Sequence, residues 1–170
     1  LTLKWDGNAS ATGYIIEQYA DGKWNEVKKI TNVFTTKYKV AGLTASTAYS
    51  FRIKAYAEIE ENEYYSEYIE INAVTLPAEV VNFDYSNVTA SEVTLKWNEN
   101  TSVTGYEIEQ YIDGEWELIK DVTAAKTVSY KVKGLKASKS YKFRIRAYKT
   151  NESSKLYSKY VSKTIITLPS

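Results

Sequence analysis

Trp5 recurs as Trp97, and the same offset of 92 positions then holds to the C-terminus of this 170-residue chain without a gap. Thr12-Gly13-Tyr14 returns as Thr104-Gly105-Tyr106, and Glu17-Gln18-Tyr19 as Glu109-Gln110-Tyr111. Asp21-Gly22 with Trp24 returns as Asp113-Gly114 with Trp116, and Thr75-Leu76-Pro77 as Thr167-Leu168-Pro169. Any admissible fold must serve both copies. The period is far above the 20 to 50 residues of solenoid units, so each copy can close a core of its own. Both prolines of the chain, Pro77 and Pro169, stand at the ends of copies, where a residue without a backbone N–H terminates a strand and stiffens a linker. The expected domains are residues 1–77 and 78–170.

Within a copy the hydrophobic period is two. Val93, Leu95 and Trp97 alternate with Thr94 and Lys96, and Tyr141, Phe143, Ile145 and Ala147 alternate with Lys142, Arg144, Arg146 and Tyr148, the pattern of half-buried strands. Asp21-Gly22 and Asp113-Gly114 fall between two such runs and predict type I′ hairpins, whose central residues both need positive φ. No stretch shows sustained helical periodicity. The second copy offers seven strands, near 80–85, 92–97, 104–111, 115–122, 127–133, 139–149 and 157–167, a spacing that predicts an all-β antiparallel sandwich. The first copy opens at the counterpart of Val93, so its equivalent of Val80 to Tyr85 is missing. An unpaired edge and uncovered apolar surface are expected there.

These residues resemble the fibronectin type III domain, an immunoglobulin-like sandwich. The resemblance rests on Trp5 and Trp97, on the Gly-Tyr-x-Ile start of the next strand, and on the Gly-Leu-x5-Tyr-x-Phe-Arg-Ile-x-Ala run at Gly42–Ala55 and Gly134–Ala147. It covers the whole second copy and all but the first strand of the first. It implies a tyrosine corner, with the Tyr49 and Tyr141 hydroxyls turned back to upstream backbone. Where many members carry Pro-Gly before that Tyr, this chain has Ala45-Ser46 and Ala137-Ser138. It has no Arg-Gly-Asp, so integrin binding does not carry over.

Charge and chemistry narrow the function further. With 22 basic and 21 acidic side chains, nothing electrostatic favours nucleic acid or an anionic membrane as a partner. No apolar run reaches the roughly 20 residues of a membrane span, and the N-terminus lacks the pattern of a signal peptide, as expected of a slice of a longer protein. The absence of Cys and His removes thiol chemistry, the usual general base and the commonest metal ligand, so no catalytic residue, cofactor or metal site is expected. Glu58, Glu60, Glu61 and Glu63 read as a solvated loop, with a weak calcium site as the sharper alternative. Their counterparts are Thr150, Glu152, Ser153 and Lys155. Asn-x-Ser/Thr sequons at Asn8, Asn87, Asn100 and Asn151 matter only in a eukaryotic secretory protein.

Given the resemblance, Glu107, Glu109 and Tyr111 should neighbour Lys142, Arg144, Arg146 and Tyr148 on a paired strand, giving a charge-laced sheet face. The functional alternative is a partner-binding platform for a protein or a glycan, built from Tyr19, Tyr56, Tyr111 and Tyr148 with Trp24 and Trp116. Lys, Asn, Tyr and Ile usage without Cys resembles bacterial secreted or cell-surface proteins. The leading expectation is therefore an extracellular structural spacer whose partners are neighbouring modules. Binding through the Tyr-rich face or the loops near 58–64 and 150–156 is the second, and homo-assembly through the open edge of the first copy the third.

Overall fold

The computed structural model describes residues 1–151 and 154–170. The chain divides into two compact units, Leu1–Thr75 and Leu76–Ser170, and every regular element among the described residues is a strand. In the first unit these are β1 (Thr2–Lys4), β2 (Gly13–Ala20), β3 (Lys23–Ile30), β4 (Lys37–Lys39), β5 (Ala48–Ile59), β6 (Asn62–Tyr65) and β7 (Ile69–Val74). One sheet runs β3-β2-β5-β6, with β7 also on β5, and the other is the pair β1-β4. The second unit holds β8 (Asp84–Ser86), β9 (Glu92–Lys96), β10 (Gly105–Ile112), β11 (Glu115–Val122), β12 (Ser129–Lys133), β13 (Ser140–Asn151), β14 (Ser154–Tyr157) and β15 (Val161–Ile166). Its larger sheet runs β11-β10-β13-β14 with β15 on β13, and the smaller runs β12-β9-β8. All pairings are antiparallel.

The alternation in the sequence becomes the core. Val93 and Leu95 of β9, Ile108 of β10, and Phe143, Ile145 and Ala147 of β13 are fully buried in one cluster, which Val80 and Phe83 join. The corresponding cluster of the first unit is smaller: Leu3, Tyr14, Ile16, Ile30, Val40 and Phe51, with Trp5, Ile53 and Ala55 only half-buried against it.

The turn chemistry follows the local sequence. Asp21-Gly22 (φ 53° and 78°) and Asp113-Gly114 (φ 48° and 95°) adopt the two positive φ values of a type I′ hairpin. At the tyrosine corners the Thr44 N–H donates to the Tyr49 hydroxyl at 2.8 Å, and the Lys136 N–H to the Tyr141 hydroxyl at 2.7 Å. Ser46 and Ser138 take φ of 53° and 52°, the conformation a glycine adopts freely, so the corner survives the departure from Pro-Gly at a modest backbone cost.

Three expectations need correction. The stretch 157–167 is not one strand. The Ser158 N–H donates to the Ala147 carbonyl at 2.9 Å while its hydroxyl accepts the Ala147 N–H at 2.9 Å, and this bonding marks the step from β14 to β15 along one edge of β13. Residues 58–64 are not a loop but the hairpin β5–β6, turned by Glu60 and Glu61 at φ 49° and 65°. Val80 to Tyr85 pairs with β9 only from Asp84 onward, although Val80 and Phe83 are buried. Glu152 and Ser153, part of the second expected loop, lie outside the described residues.

Candidate functional site

The outward face of the larger sheet in the second unit carries its densest polar chemistry. Register sets Glu107 opposite Arg146, and Glu109 opposite Arg144. Arg146 donates to one Glu107 oxygen from Nε and Nη2 at 2.9 and 2.7 Å, while Lys155 Nζ and the Tyr157 hydroxyl reach the other at 3.0 and 3.1 Å. Lys155 also bonds Asp121 at 2.9 Å. Arg144 Nε reaches Glu109 at 2.6 Å, and the Tyr160 hydroxyl donates to the second oxygen of that carboxylate.

Aromatic rings interleave with the cations. The Arg144 guanidinium lies 4.4 Å from the Trp116 ring and 3.9 Å from Tyr160, and that of Arg146 lies 4.7 Å from Tyr160 and 3.6 Å from Tyr157. The result is a ladder, Trp116, Arg144, Tyr160, Arg146, Tyr157, with carboxylates along its flank. Arginine suits it because its planar cation stacks on rings and still donates sideways.

Protonation follows from these contacts. Burial pushes the Glu107 carboxyl up, but its bonds to Arg146 and Lys155 outweigh that and hold it below the usual carboxylate range. Asp121 is lowered the same way, its burial overcome by the Lys155 bond. Burial and then the Glu109 carboxylate push the Tyr160 hydroxyl up to about 12. These contacts hold Glu107 and Asp121 ionised. Asp121 Oδ1 is buried there without a hydrogen-bond partner.

The first unit builds the same ladder from the equivalent residues, with Lys54 in place of Arg146. Arg52 sits 4.4 Å from Trp24 and 3.8 Å from Tyr68, and Lys54 sits 4.8 Å from Tyr68 and 3.9 Å from Tyr65. Glu17 accepts from Arg52 at 2.6 Å and from Tyr68 at 2.8 Å. The position of Glu107 is taken by buried Ile15. The ion pair Asp121–Lys155 returns with its polarity reversed, as Lys29–Glu63.

The proposed platform residues separate into two groups. Tyr56 and Tyr148 are only 2% exposed, because each ring covers a glycine of the neighbouring strand. A methyl added at Gly13 would lie 2.9 Å from Tyr56, and one at Gly105 would lie 2.8 Å from the Tyr148 hydroxyl. Neither tyrosine is available to a partner, which corrects that part of the sequence reading. Tyr19 and Tyr111 remain 48% and 41% exposed, edge-on to Trp24 at 5.3 Å and tilted against Trp116 at 5.2 Å. Trp24 and Trp116 are themselves half-buried under Arg52 and Arg144.

Sequence reasoning missed Tyr157, Tyr160, Lys155 and Asp121. The available signal was their recurrence at the 92-residue offset as Tyr65, Tyr68, Glu63 and Lys29, aromatics kept and charges exchanged. In the first unit Glu63 is bound to Lys29 and Tyr65, and no three acidic side chains converge on a metal-sized site among the described residues. Among the described residues no helix is long and apolar enough to cross a membrane.

Comparison with known proteins fits this architecture. Chitinase A1 of Niallia circulans is 28% identical over 121 residues, 64% of this chain but only 16% of that protein's length. A two-domain fibronectin type III segment of chicken tenascin superposes with a TM-score of 0.57 over 98% of this chain and 91% of its own, at 22% identity. The fibronectin type III domain family matches residues 1–72 and again 77–163. The chain belongs to the fibronectin type III family, as two consecutive domains.

Proposed function

We propose that the two domains are a non-catalytic structural spacer of an extracellular, secreted or surface-attached multidomain protein. The observation that carries this reading is the variation around the ladder. Both copies keep its rings, its first cation and the Glu17 or Glu109 carboxylate, yet the flanking groups differ and even reverse: Ile15 for Glu107, Lys54 for Arg146, and Lys29–Glu63 for Asp121–Lys155. Recognition or catalysis would constrain which groups are presented. A scaffold constrains only that they be paired.

The segment 75–79, containing Pro77, links β7 to buried Val80, and so short a Pro-containing linker favours limited motion between modules. The similarity to a stretch of a much longer bacterial chitinase supports a place beside other modules. Small-angle X-ray scattering tests the proposal: one fixed arrangement should account for the profile, and scattering that requires freely tumbling domains refutes it.

A second reading is favoured by the exposed Tyr19 and Tyr111, each beside a tryptophan, which present flat rings with hydroxyl handles in both domains. The partner would be a protein or a glycan, and chitin is the first glycan to try. Retention of the chain on insoluble chitin, lost in the Tyr19→Ala/Tyr111→Ala double variant with unchanged amide spectra elsewhere, would favour binding over spacing.

A further inference from the structure

Beside its Asp-Gly turn, the outward sheet face of each domain carries a row of four side chains on four neighbouring strands. In the first domain Trp24 stands opposite Tyr19, the register sets Ser50 next, and Ser50 stands opposite Asn72. In the second Trp116 stands opposite Tyr111, the Lys142 ammonium lies 5.6 Å from the Tyr111 ring, and Lys142 stands opposite Thr164. At the usual strand spacing each row is about 14 Å long. The rings recur in both rows, and Ser50 and Asn72 are exchanged for Lys142 and Thr164.

The rows keep bonding capacity that the rest of the face has used. Ser50 donates its hydroxyl to Asn72 Oδ1 at 2.6 Å, which leaves the Asn72 amide N–H groups pointing to no protein acceptor among the described residues. Lys142 is exposed, and none of the ion pairs among the described residues includes it. Next to the rows, by contrast, Glu17 is held by Arg52 and Glu109 by Arg144. A protein partner covering about 800 Å² would have to bury those pairs as well, at a desolvation cost. A peptide strand adds to an open sheet edge, and the centre of each row lies on β2 and β5, or β10 and β13, which have strands on both sides. A narrow row of flat rings followed by polar groups suits a linear sugar, whose C–H face stacks and whose rim hydroxyls bond.

We propose that the two rows are glycan sites of different charge class: the first domain's takes a neutral oligosaccharide, the second domain's one that carries carboxylates. The deciding position is Ser50 in one and Lys142 in the other. An unpaired ammonium beside the stacking ring favours an anion on the bound sugar, whereas a hydroxyl in its place expresses no preference for charge. This inference rests on the second reading above, in which Tyr19 and Tyr111 meet a partner, and is independent of the spacer reading.

The test titrates the 170-residue chain with chitotetraose, with tetragalacturonate and with a tetraglutamate peptide as the anion that is not a sugar, each followed by amide NMR. Chitotetraose should shift Tyr19, Ser50 and Asn72, and tetragalacturonate should shift Tyr111, Lys142 and Thr164. Only the second effect should weaken as salt rises. Lys142→Ser should weaken tetragalacturonate at its row roughly fivefold, and Ser50→Lys should bring it to the first row. Both positions lie outside the core, and unchanged signals elsewhere check the fold of each variant. If neither sugar shifts either row, the glycan form of the second reading falls and this inference with it. If sugars bind but both rows take both alike, or the preference survives Lys142→Ser and Ser50→Lys, only the charge assignment falls. Tetraglutamate bound as tightly as tetragalacturonate overturns the assignment to a sugar.

Discussion

Glu107→Ile installs in the second domain the residue that the first domain carries at Ile15. Ile15 is buried opposite Lys54 and Lys29 on the neighbouring strands, so isoleucine is compatible with the fold, but the second domain surrounds the position with Arg146 and Asp121 instead. Removing the carboxylate deletes the two Arg146 bonds, one Lys155 bond and the Tyr157 bond. Breaking a fully buried pair costs about 3 to 5 kcal/mol. The Arg146 and Lys155 side chains are 24% and 30% exposed and partly rehydrate, Lys155 keeps Asp121, and the new side chain buries apolar area. A net loss of about 2 kcal/mol follows, or roughly 10 °C in the midpoint of a domain this size. Adding Arg146→Lys, Asp121→Lys and Lys155→Glu completes the first domain's arrangement and should restore stability to within about 1 kcal/mol of the starting protein. Urea unfolding read through resolved amide signals of each domain measures both variants in the intact chain. A neutral Glu107→Ile, or a quadruple variant as unstable as the single one, would refute the view that mutual satisfaction, and not residue identity, holds this face.

Gly105→Ala should destabilise the second domain by about 3 kcal/mol or more, because the added methyl would lie 1.9 Å from the Val122 carbonyl oxygen. Gly13→Ala should do the same to the first domain against Ile30, and domain-resolved thermal unfolding would show each loss confined to its own unit. Tyr141→Phe removes the acceptor of the Lys136 N–H and should cost about 1 kcal/mol in chemical denaturation with no change in m-value. The lowered Glu107 and Asp121 contribute stability that is fully present above the ordinary carboxylate range and is lost as pH falls through their depressed folded-state values. Tyr160, raised to about 12, contributes stability present below pH ~10 and lost as pH rises toward 12. A pH series of unfolding midpoints should fall at both ends, and a flat acid limb would contradict the pairing.

The repeat, the period-two alternation and the Asp-Gly pairs carried most of the architecture, because each is a local or self-comparing signal. That the strand of Glu107 and Glu109 neighbours the strand of Arg144 and Arg146 followed from the resemblance, while the register that sets Glu107 opposite Arg146 and Glu109 opposite Arg144 is read only from the structure. The hairpins β5–β6 and β13–β14 were not legible. The β5–β6 turn uses Glu60 and Glu61 in the left-handed region without the glycine that normally marks such a turn. Tyr56 and Tyr148 read as outward residues, and they do lie on the outward face. What buries them is the absence of a side chain at Gly13 and Gly105, which lets a ring lie flat on the neighbouring strand. The ladder also needs Tyr157 and Tyr160 from beyond the expected loop, a contact that depends on where β14 ends and β15 begins.

The spacer reading is tested most directly by residual dipolar couplings measured for both domains of the intact chain in one weakly aligning medium. A spacer predicts one shared alignment tensor of equal magnitude and orientation for residues 1–75 and 76–170. Two tensors of clearly different magnitude would mean independently moving domains and would contradict it.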